Sequence, residues 1–142
     1  MFQIAARTGA GVARATPDIS MSAAVDGGAL VYLTVPGVSP GYHVIGGTSE
    51  ASPLLSGVVA IAAQIARHRL GDIDPAMYAL SAFHRPAGIV DVTSGDNSFT
   101  LHDDAGTSVF TVPGFAAGRG YDMASGLGTV DAARFAHALA GR

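Results

Sequence analysis

The chain has no cysteine, which excludes disulfides and thiolate-held metals and leaves the redox compartment open. It has no lysine either: its eight basic residues are all arginine, scattered among eleven acidic ones, for a net charge of −3. Without a basic cluster, neither nucleic acid nor a membrane is the expected partner. Charge of either sign is sparse, at 13% of 142 residues, while 49% are apolar, so the chain can bury a core and is not disordered. That length is one ordinary domain or a piece of a larger one. Long hydrophobic runs are missing outside Ala51–Ala66. Ser52, Pro53, Ser56, Gly57 and Gln64 interrupt that segment, which therefore predicts a buried helix rather than a membrane span. The opening "MFQIAARTGAGVARATPD" lacks the basic, apolar and small-residue order of a signal peptide. The expectation is a cytoplasmic protein or a chain cut from a longer one.

Residues 1–16 show no period and read as a connecting segment, ending before Pro17. "GALVYLTV" (Gly28–Val35) and "GYHVIGG" (Gly41–Gly47) are β-branched and aromatic runs with the turn "VPGVSPG" between them, and predict a hairpin. From Glu50 to about Arg69 the apolar period becomes helical, through Leu54, Leu55, Val58, Ile61, Ala62 and Ile65. Gly71 is the expected stop, with Arg67, His68 and Arg69 as cations in the final turn. A helix apolar on most sides belongs inside a larger body. "DIDPAMYAL" predicts a short helix after Asp74. Strands are expected near Phe99–Leu101 and Val109–Val112, and a last helix in "TVDAARFAHALAG", capped by Thr129 and stopped by Gly141. Asp96, Asn97, Asp103 and Asp104 read as a solvated loop.

Ser49 raises the chemical question. A helix N-terminus carries unpaired N–H groups and a partial positive charge, which suit an oxygen that becomes an anion. Gly46 and Gly47 allow close backbone approach, and Pro53 cannot donate to the Ser49 carbonyl. These features fit a presented nucleophile. They also fit an ordinary cap, with Thr48 or Ser49 holding the first turn and Glu50 favoured by the dipole. A nucleophile needs a base. His43 lies on a strand about 20 Å away if the chain is extended, and is expected to make a local hydrogen bond. Glu50 should point elsewhere on the helix. His68, His84, His102 and His137 have no aspartate partner at a telling spacing. The residues alone assign no base.

"GGTSEASPLLSGVVAIAAQ" resembles the serine segment of the sedolisins, the serine-carboxyl peptidases, a pattern shared with subtilisins. Two further blocks narrow the resemblance. "TPDISMSAAVDGG" is similar to the sedolisin segment that precedes the strand pair leading to the serine. "IVDVTSGDN" followed by "AAGRGYDMASGLGTVDAARF" is similar to the sedolisin calcium region. The blocks stand in family order from about Thr16 onward. The resemblance implies an α/β, subtilisin-like three-layer fold of which residues 17–142 are the C-terminal part. A portion of a central parallel sheet and a calcium-binding region over residues 89–128 are implied with it.

The resemblance further implies that Ser49 is the nucleophile of an endopeptidase working at acidic pH on peptide or protein substrates. The full-length protein would be secreted, and one calcium ion would be held by the carboxylates of Asp91 and Asp122 and the carbonyls of Val92, Gly118 and Gly120. Such an ion takes six to eight oxygens, carbonyls included. Glycines at 118 and 120 would let alternate carbonyls turn toward it, although Asp and Gly are also the usual residues of plain turns. Sedolisins draw the Glu base, its supporting Asp and the oxyanion-hole Asp from upstream of the serine block. Those groups have no counterpart here, so the upstream part of the domain is an expected partner. A non-catalytic calcium-binding fragment or pseudoenzyme, and a fragment of a subtilisin-type peptidase, are the alternatives.

Overall fold

The structure is a computed structural model that describes residues 13–24, 26–82, 87–103 and 105–141. Most of the connecting segment, together with His84 and Asp104, lies outside the described residues. Strands β1 (Ala29–Leu33) and β2 (Gly41–Ile45) form the expected antiparallel hairpin, with Leu30 opposite Val44 and Tyr32 opposite Tyr42. Both pairs lie on its exposed face, where the tyrosine rings meet edge-on at 5.1 Å. Helix α1 (Thr48–Ala66) follows directly, then α2 (Asp74–Ala82), β3 (Ile89–Val90), β4 (Phe99–His102), β5 (Ser108–Val112), β6 (Thr129–Val130) and α3 (Ala132–Leu139).

Each of the three sheets has two strands, and all three are antiparallel: β1 with β2, β3 with β6, and β4 with β5. The architecture is a mixed helix-and-strand one of the α/β kind. The parallel sheet expected from the family resemblance is not formed among the described residues, where every strand pairs locally or across a returning loop.

One core holds the helices together. Val58 and Ala62 of α1 meet Phe135 and Ala136 of α3, with Met77 and Tyr78 of α2 and Tyr121 and Leu127 of the loop before β6. Phe135 is fully buried, and Gly88 is small because the backbone of Phe135 occupies the space a Cβ would need. Removing an aromatic side chain from such a position costs about 3–5 kcal/mol. Residues 18–20 lie along the far end of this core. Leu127 N donates to Asp18 O at 2.8 Å and Ser20 N to Gly128 O at 2.8 Å, while Tyr78 Oη donates to the Asp18 carboxylate at 2.7 Å.

Three helix ends differ from expectation. The cap of α1 is Gly47, at φ 75°, with no side-chain capping bond, so neither Thr48 nor Ser49 acts as the cap. Helix α1 stops at Ala66, where Arg67 takes the left-handed conformation and donates its N–H to Gln64 O; no cation stands in the last turn. Helix α3 is capped by Asp131, whose side chain accepts from Arg134 N, because Thr129 is taken into β6. Only Glu50, Val58 and Ala62 of α1 are buried. By length and composition α1 could also cross a membrane, yet it packs here against α3.

Candidate functional site

Two places carry the residues with chemistry. The first is the start of α1. The amides of Glu50 and Ala51 both donate to Gly47 O, at 3.0 and 3.3 Å, which leaves Thr48 and Ser49 at the open end of the helix. Ser49 is exposed, and its hydroxyl makes no hydrogen bond with any described residue. It lies in the first turn of a long helix, where the backbone N–H groups and the macrodipole favour negative charge.

No described base reaches it. His43 Nε2 donates to Ser39 O at 3.1 Å, the local bond expected of a strand histidine. His68 pairs with Arg69 O at 2.8 Å, and His102 faces Ser108 Oγ at 3.5 Å. His137 is exposed on α3. Glu50 turns inward: it is 7% exposed, and its Oε2 is sealed without a hydrogen-bond partner among the described residues.

The second place is the loop from Gly118 to Gly128. Asp91, just after β3, accepts from Gly120 N at 2.9 Å through Oδ2. Asp122 accepts from Gly118 N at 2.8 Å through Oδ2, and through Oδ1 from Ala124 N, Ser125 N and Ser125 Oγ at 3.0, 2.7 and 3.1 Å. Its main chain pairs with Gly126 in both directions. Burial raises the Asp122 pKa, but the donors from Gly118, Ser125 and Ala124 outweigh it and hold the carboxyl below its ordinary 3.8.

Tyr121 is buried beside it and donates its hydroxyl hydrogen to Pro17 O at 3.0 Å. Gly126 and Gly128 take φ of 68° and 108°, and a Cβ on either would run into backbone, of Asp18 and Val90 respectively. Gly120, at φ 78°, needs its glycine for conformation; Gly118 does not, and both face open space.

The structure thus brings Asp91 against the loop that carries Gly118, Gly120 and Asp122, with Val92 half-buried next to Asp91. No described bond links this loop to Ser49. Two carboxylates with a glycine-rich backbone are a donor set that suits a hard oxygen-seeking cation. Among the described residues no group of three or more His, Cys, Asp or Glu gathers, so any such ion would depend mainly on carbonyls and water. Sequence reasoning missed the amides. The family resemblance gave glycines 118 and 120 a role through their carbonyls; their N–H groups have one besides, donating to Asp122 and Asp91. Asp96 and Asn97 are exposed, as the solvated-loop reading expects, and they also order the loop: Asp96 accepts from Ser98 N and Asn97 Oδ1 from Phe115 N.

Over 119 residues, 83% of its length, the chain is 34% identical to xanthomonalisin of Xanthomonas sp. (strain T-22), a sedolisin-family peptidase. The resemblance is to the sedolisins. It is a resemblance at the level of the family, and no family model matches the chain. The matched stretch spans 12% of xanthomonalisin, so the chain answers to a small part of that protein.

Proposed function

We propose that this chain is part of a serine-carboxyl peptidase domain, in which Ser49 attacks the scissile carbonyl of a peptide at acidic pH. The observation that carries the reading is the state of Ser49: exposed, free of any capping duty, and at the open end of α1 within the block that resembles the sedolisin serine segment. Ser49 Oγ adds to the carbonyl carbon, and its proton passes to a carboxylate supplied by the upstream part of the domain. The oxygen that gains charge lies against the helix N-terminus, where N–H donors favour it. Collapse breaks the C–N bond, protonates and expels the amine, and leaves an ester on Ser49 that water hydrolyses. Low pH suits such a pair of acids because one can be ionised while its neighbour holds a proton.

Asp91 and Asp122 would hold a calcium ion with the carbonyls of Val92, Gly118 and Gly120. When bound it supplies positive charge that braces the loop. Asp122 already fixes the loop through four donors, and Asp91 ties it to β3. The full-length protein would be secreted.

A second reading, a non-catalytic calcium-binding fragment, is favoured by the absence of a described base at Ser49. The two part experimentally. The 142-residue chain alone is expected to hydrolyse no quenched peptide between about pH 3 and 8. The full-length product of its gene is expected to do so in acid and to lose that activity in Ser49→Ala. A full-length product that is inactive, or as active after the substitution, overturns the nucleophile. Calorimetric titration with calcium tests the loop separately, and Asp91→Ala should weaken the binding.

A further inference from the structure

The β4–β5 ribbon turns its apolar face outward. Its register sets Phe99 opposite Val112 and Leu101 opposite Phe110, so these four side chains share one face of the pleat. Thr100 and Thr111 share the other, where their hydroxyls meet at 3.1 Å. A two-faced strand pair normally hides the apolar side and wets the polar one. Here the order is reversed: Phe99, Leu101, Phe110 and Val112 are 45% to 60% exposed, whereas Thr100 is half-buried. Each strand's main neighbour is the other strand, and the hydrogen bonds at the ribbon's base join its own two ends. A two-stranded ribbon by itself is only marginally stable, and an apolar face of this kind marks a place where something docks.

The chemistry of the face selects the partner. Residues 99–101 and 108–112 carry no charge, and no arginine lies between Arg85 and Arg119. At the tip, Asp103 Oδ1 accepts from Ala105 N and Thr107 N, so this carboxylate serves the turn. An acidic tip with no basic residue beside it is not drawn to an anionic bilayer. A charged protein surface would lose its water against this face and gain no partner. What fits is an uncharged apolar face of the same size and shape, and a second copy of this chain supplies one. The β1–β2 hairpin also shows an exposed face, but its two tyrosines end in hydroxyls that water satisfies.

We propose that the apolar face of the β4–β5 ribbon is a homodimer contact, in which Phe99, Leu101, Phe110 and Val112 pack against the same four residues of a second copy. The ribbons stack face to face about a twofold axis and run antiparallel. That sense separates the two Asp103 carboxylates, which a parallel stack would set side by side. Half-exposed, the four side chains present on the order of 400 Å². Val109 and Phe115, exposed at the margins, bring the total to on the order of 600 Å² per copy. The two copies together then bury about 1,200 Å², the lower end of specific interfaces, which sets the association in the micromolar range. The contact uses neither Ser49 nor the aspartate loop and does not depend on the peptidase reading.

The test is sedimentation velocity on the full-length gene product across a concentration series that brackets about 10 µM, the order of the expected Kd. Phe110→Lys should raise Kd about tenfold or more, because it sets a charge at the centre of each apolar face. Thr111→Lys, on the opposite face, should move it less than about threefold. If Phe110→Lys prevents folding, Phe110→Ser reads the same shift in a milder form.

A product that stays monomeric throughout the series overturns the contact, as does a dimer whose Kd Phe110→Lys leaves unmoved. So does a dimer that Thr111→Lys weakens equally, or growth into species larger than a dimer, which would mean that strand edges pair and not faces. A monomer whose Tm falls by about 5 °C or more on Phe110→Lys would show the face covered within its own domain. Flotation with phosphatidylcholine vesicles that Phe110→Lys abolishes would make a bilayer the occupant and overturn the second copy.

Discussion

The two ends of the resemblance contrast sharply in how their polar groups are treated. At the start of α1, Ser49 makes no described hydrogen bond and Glu50 has none at its sealed oxygen. In the aspartate loop, Asp122 alone receives four. The loop's close approaches are also filled: Gly126 and Gly128 press on neighbouring backbone, while Gly57 of α1 faces open space. The loop's polar groups are paired within the chain and those at the start of α1 are not. Under the peptidase proposal, Ser49 would also need a base from outside these residues, whereas the aspartate loop needs no outside donor to close.

The contrast breaks most visibly at glycine. Gly128→Ala should destabilise the chain by about 3 kcal/mol or more, because φ of 108° strains any side chain and the Cβ would force β3 away. Thermal unfolding reads it; a loss no larger than that of an ordinary surface change would mean the loop is as open as α1.

Next comes Asp122→Ala, which frees four donors and should cost about 2 kcal/mol with or without calcium present. If the loss appears only in calcium-containing buffer, the carboxylate serves the ion and not the loop. Acid sharpens the same point. The folded pKa of Asp122 lies below 3.8, so its stabilisation is complete above that value and disappears as pH falls below it through the lower folded value. Asp122→Asn should flatten that part of a stability-against-pH curve.

The smallest effect is expected at Ser49→Ala. With no hydrogen bond to lose, the chain's stability should change by less than about 0.5 kcal/mol. A larger loss would show that the serine holds structure after all.

Much of this was legible in the sequence, and what was not has a common cause. The hairpin, α1, α2 and the β4–β5 strands follow from local period and turn residues and lie within a few residues of where those signals put them, α1 ending at Ala66 short of the expected stop at Gly71. The pairing of residues 18–20 with residues 127–128 carries no periodic mark, since a backbone-to-backbone contact across more than a hundred positions leaves side chains free to vary. Cap identity was read from side-chain preference, and Gly47 won at α1 by conformation instead. The role of Asp122 was half visible: the residue stood out, but the amides that surround it belong to every residue type and cannot be seen in letters. A base for Ser49 was not legible either, and among the described residues none reaches it.

The β4–β5 ribbon gives the aspartate loop an unusual freedom of descent. Its base is clasped, with Ala117 N donating to Gly95 O at 2.9 Å and Asn97 N to Phe115 O at 3.2 Å, so the two halves of the loop are held together whatever lies beyond. Lengthening a closed loop costs little, about 0.6 kcal/mol for each doubling. Related chains can therefore gain or lose residues at the tip, around Ala105 and Gly106, without disturbing Asp91 or Asp122. Length variation among homologues should collect there first, and a reporter peptide grafted at that turn should lower the melting temperature by only a few degrees.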